Sequence, residues 1–76
     1  MTEIERNILE CLNELDRLVQ SMRTAEPKPN LIPIFTRLDE LTAQLSRNAD
    51  PSLLHYLHKK SYEKARLFLE DLNAKG

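Results

Sequence analysis

Three stretches of the chain carry apolar residues at the three-to-four-residue spacing of an amphipathic helix, and the segments between them lose it. The third stretch is the most continuous: from Asp50 to Leu72, DPSLLHYLHKKSYEKARLFLEDL holds no glycine and no proline after Pro51. On a helix turning about 100° per residue, Leu54, Leu57, Ser61, Ala65, Phe68 and Leu72 stay within roughly 60° of one line, with His58 and Leu69 on its flank. Asp50 suits the N-cap, where its carboxylate accepts from free first-turn amides, and Pro51 suits the first helical position, where no N–H is missed. The stripe follows a straight helix and not a strict heptad, so it predicts a globular-core helix over about 51–74. Its middle is small. Ser61 and Ala65 stand where leucine is expected, so either a neighbour approaches closely there or the chain breaks near Ser61 into two shorter helices.

The first stretch opens on Thr2 and Glu5, a capping box in which the Thr hydroxyl takes the Glu5 amide and the Glu side chain returns to the Thr2 amide. Ile8, Leu15 and Met22 form one heptad column, Ile4, Cys11 and Leu18 a second, and Leu12 and Val19 a third, predicting a helix over about 2–24 whose broad apolar face wants two neighbours. TAEPKPN (24–30) has two prolines and no periodicity, so it reads as a connection. In the second stretch Leu31, Leu38 and Leu45 align, with Ile34 and Leu41 beside them and Phe35 next to those. Pro33 must lie in the first turn, because deeper it removes a hydrogen bond and clashes. The spacing predicts a helix over about 32–47, with Asn48 as C-cap and Asn48 to Asp50 as a tight turn. The expected fold is all-α, a small antiparallel three-helix bundle over 1–76: helices two and three form a hairpin and helix one packs across both.

Length sets the next bound. A chain of 76 residues makes one domain that buries roughly 60% of its unfolded surface, without room for a deep enclosed pocket. A single glycine and few β-branched residues argue against strands. The formal net charge is −1, so there is no general attraction to nucleic acid or an anionic membrane. Residues 1–24 hold three basic and five acidic groups, 25–49 three and three, and 50–76 five and four. No run approaches the roughly 18 apolar residues of a membrane span, and MTEIER lacks a basic-then-hydrophobic leader pattern. The expectation is a complete cytoplasmic chain. The lone Cys11 cannot form an internal disulfide, which fits a reducing compartment.

Candidate chemistry is sparse. His55 and His58 share one side of a helix, a spacing open to metal ligation, yet no further ligand type completes a recognisable motif. Cys11 falls in the middle of an apolar face with no basic neighbour in sequence, which suits packing better than nucleophilic chemistry. Glu10, Glu14 and Asp16 point to the solvated side of helix one, where a charged face is the default and an acid/base pair is not. No catalytic residue, cofactor or metal is expected.

The surplus apolar surface says more. On an unbroken third helix, Leu53, Tyr56 and Leu67 lie away from the core stripe with Lys60 and Lys64 flanking them, a composition typical of interfaces. Leu9 and Ile32 likewise fall outside their helices' main faces. These five residues of helix three are the expected partner-binding surface, taking another protein or a second copy of the chain. The alternative is a weak single-stranded RNA or nucleic-acid contact through Lys59, Lys60, Lys64 and Arg66, with Tyr56 and Tyr62 available for stacking. The two tyrosines point in different directions on the wheel, and so few charges would bind weakly and with strong salt dependence.

Tyr56, Tyr62 and Ala65 in YLHKKSYEKARLFLE resemble the signature tyrosines and alanine of a tetratricopeptide repeat, over about a third of the chain. The resemblance implies a turn near Lys60 and Ser61. Lys60 stands where that family has glycine, its terminal proline is missing and there is no second copy, so family membership is not assigned. The expected function is a small protein–protein interaction module without catalytic activity.

Overall fold

The computed structural model describes residues 2–24, 28–45 and 49–75. It is all-helical there, with four helices: α1 (Glu3–Ser21), α2 (Ile32–Gln44), α3 (Pro51–His58) and α4 (Tyr62–Lys75). The predicted third helix is two.

Local chemistry explains most of the boundaries. Thr2 Oγ1 accepts from the Glu5 amide at 3.2 Å and Glu5 Oε1 accepts from the Thr2 amide at 2.9 Å, so the capping box forms as expected. At the other end of α1 the Met22 amide donates back to Leu18 and Val19, and residues 22–24 form a turn. Pro33 lies in the first turn of α2, and Asn30 Oδ1 accepts from the Ile32 amide at 3.1 Å. This helix is shorter than predicted, since Leu45 already has extended backbone. The expected Asn48 cap lies outside the described residues. Asp50 caps α3 by accepting from the Ser52 amide at 2.8 Å, with Pro51 behind it.

The break after α3 is a Schellman motif. The Ser61 amide donates to Tyr56 O at 2.8 Å and the Lys60 amide to Leu57 O at 3.1 Å, while Lys60 takes φ 57°. Ser61 O then accepts from the Ala65 amide at 3.0 Å and starts α4. The break falls where the sequence leaves it open, near Ser61; the unbroken reading competes with it because the residue in the left-handed position is a lysine, where glycine would signal a stop.

Packing differs from the expected arrangement. Helix α1 packs against both α2 and α4, and α3 packs against α4. The broad face of α1 does have two neighbours, but the predicted hairpin of helices two and three is replaced by α3 folding back on α4. Ile8, Leu9, Cys11, Leu12 and Leu15 of α1 join Leu38 and Leu41, Leu53 and Leu57, and Ala65 and Leu69 in one buried cluster. Leu9 is therefore core, because a helix between two partners buries a wider arc than a heptad seam. The globule measures 41 × 24 × 20 Å with a radius of gyration of 12.8 Å, somewhat elongated against about 11 Å for a compact domain of this length. Among the described residues no helix is long and apolar enough to cross a membrane.

Candidate functional site

The turn between α3 and α4 gathers most of the residues singled out above. Lys60, Ser61, Tyr62, Glu63, Lys64 and Leu67 line one open depression beside it. Leu67 is 53% exposed at its edge. Residues 60, 64 and 67 meet there because the turn delivers Lys60 to the start of α4, where positions i and i+3 share a side of the helix. Among the described residues Lys59, Lys60 and Lys64 are exposed and enter no ion pair.

Two members of the expected surface lie elsewhere. Leu53 is fully buried. The turn resets the helical wheel, so the side of α3 that carries Leu53 and Leu57 faces inward, and Leu53 is withdrawn from the partner surface. Tyr56 is half-buried and meets the Phe68 ring edge-on at 6.4 Å and the His55 ring edge-on at 6.1 Å. Of the five expected residues, Lys60, Lys64 and Leu67 lie together and exposed.

The alternative nucleic-acid set is also divided. Arg66 donates to Glu70 at 3.1 Å and lies 3.9 Å from Glu63, and its side chain is only 19% exposed. Tyr62 stacks on Phe35 of α2, with centroids 5.8 Å apart and planes 21° from parallel. Both tyrosines therefore have aromatic partners inside the fold, and the charge left over is that of three lysines.

No family model matches the chain, and no curated protein or solved structure matches it either. Of the tetratricopeptide resemblance, the turn at Lys60 and Ser61 is present. Membership of that family is not shown.

The remaining candidates are surface or core. His55 and His58 are exposed, and the described residues contain no group of three His, Cys, Asp or Glu arranged to hold a metal. Cys11 is buried, with Glu10, Glu14, Ile34 and Arg37 around a small depression next to it. Glu10, Glu14 and Asp16 lie on the open outer side of α1, and Glu14 pairs with Arg17.

Sequence reasoning missed a second feature. Between α1 and α4 runs a groove of about 180 Å³ floored by Leu12, Leu15 and Val19, with Asp16, Glu63 and Arg66 at its rim. Val19, aligned with Leu12 in the third column of α1, is 46% exposed. The signal was that third column, whose first member, Leu12, is buried while its second, Val19, is left exposed.

Proposed function

We propose that this chain is a non-catalytic protein–protein interaction module whose contact surface is the α3–α4 corner. The observation that carries this reading is Leu67, a large apolar side chain more than half exposed, sharing one depression with two lysines that enter no ion pair among the described residues. A lone exposed leucine is ordinary on any protein surface. An exposed leucine framed by lysine stems, whose methylenes extend the apolar area while their ammonium groups stay hydrated, has the composition of an interface with a polar rim. The internal engagement of Tyr56, Tyr62 and Arg66 favours this reading over nucleic-acid binding. Base stacking would require Tyr62 to leave Phe35, and phosphate contact would fall to lysines alone.

The test is site-specific photocrosslinking in cells. A photoreactive residue at position 64, with a second at exposed Arg6 as control, should give a discrete adduct from position 64 that disappears when Leu67→Ser is added. If position 64 gives no adduct, or one that survives Leu67→Ser, the corner is not the contact surface.

A further inference from the structure

Tyr62 and Glu63 line both depressions described above, the corner with Leu67 on one side and the α1–α4 groove on the other. An exposed apolar knob and an apolar groove therefore lie side by side across one ridge of α4. We propose that a second copy of this chain covers both at once. Two copies related by a twofold axis near Glu63 would each seat Leu67 in the other's groove over Leu12, Leu15 and Val19, with Lys64 beside the other's Asp16. This rests on the interaction reading above and names its partner.

Three observations carry it. The first is size. An apolar cavity of roughly 150 Å³ accepts a benzene-sized group, so a groove of about 180 Å³ has room for one leucine side chain. The second is charge. Asp16 stands at the groove's rim and Lys60 and Lys64 frame the knob, while Glu63 lines both depressions and adds to neither side of the match; a net charge of −1 per copy leaves little overall repulsion between copies. Arg66, also at the rim, is already held by Glu70. The third is closure. A knob and a hole on distant faces would build open chains, whereas a knob and a hole flanking one ridge close under a twofold rotation, each making the same contact with the other. Of the three large apolar residues most exposed, Val19, Ile32 and Leu67, this arrangement covers two.

Sedimentation equilibrium of the full chain at low salt, from ~10 μM to ~1 mM, tests it, with circular dichroism confirming that each variant stays helical. The expected result is a concentration-dependent dimer that Leu67→Ser converts to monomer. Lys64→Glu and Asp16→Lys should each weaken the dimer by about tenfold, and the double variant should return to within about threefold of the wild type, because the ion pair is rebuilt with its signs exchanged. A monomer throughout overturns the proposal, as does a dimer indifferent to these substitutions or a double variant as weak as the two singles combined. A monomer that still gives a Leu67-dependent crosslink to a different protein overturns self-pairing alone and leaves the interaction reading standing.

Discussion

Lys60 holds a backbone conformation that costs an ordinary residue roughly 1–2 kcal/mol, because its Cβ crowds the neighbouring carbonyl. Its φ of 57° is set by the two amides that close the end of α3. Glycine avoids the crowding but loses more chain freedom on folding, so the two effects partly offset. Lys60→Gly should therefore stabilise the protein by about 1 kcal/mol or slightly less, seen as a higher urea midpoint with an unchanged slope. A lower midpoint would mean that the lysine side chain contributes more than its backbone costs. Leu53 and Leu67 make the complementary comparison. Leu53→Ala removes a fully buried side chain and should cost about 2–5 kcal/mol, a large share of the stability of a 76-residue domain. Leu67→Ser should cost under about 0.5 kcal/mol in the monomer. Equal effects in thermal melts at low concentration would contradict the burial assigned to the two leucines.

At the scale of the element, the capping box of α1 and the Asp50 cap of α3 were legible because both rest on local chemistry, a side-chain oxygen within reach of amides two or three residues away. Thr2→Ala should lower stability by about 1 kcal/mol, measured by urea unfolding, with the first turn of α1 losing amide protection before the rest. The break between α3 and α4 was the less legible feature. The apolar stripe through Leu57, Ser61 and Ala65 continues on paper as if the helix did, and the usual stop signals, glycine or proline, are absent. The small residues at 61 and 65, and the resemblance of Tyr56, Tyr62 and Ala65 to a tetratricopeptide repeat, were the hints of it. A wheel carried through Ser61 puts Leu53 beside Leu67, and although the third column of α1 supplies the apolar residues of the groove, periodicity within one helix does not say which neighbour leaves them uncovered.

For the whole molecule, the order of packing matters more than the number of helices. Helix α1 touches α2 and α4, while α3 packs on α4. A helix of eight residues is too short to persist without tertiary contacts, so α3 should be the least protected element. In native-state hydrogen exchange its amides should exchange faster than those in the middle of α1 and α4, without global unfolding. Equal protection across α3 and α1 would show that the four helices open as one unit.

The stacked pair of Phe35 and Tyr62 bears on that opening. It fastens the start of α2 to the start of α4, and α4 follows α3 directly through the turn at residues 59–61, so the C-terminal end of α3 is anchored close to this pair. If α3 lifts away, it remains a tethered flap at high effective concentration over its docking surface, and closing a loop of this length takes microseconds or less. Detachment would be frequent, brief and self-reversing. The aromatic pair holds the start of α4, the surface onto which α3 closes, so Phe35→Ala should lower the stability and raise the hydrogen-exchange rates of the α3 amides, and unchanged α3 exchange would show that its docking is independent of the pair.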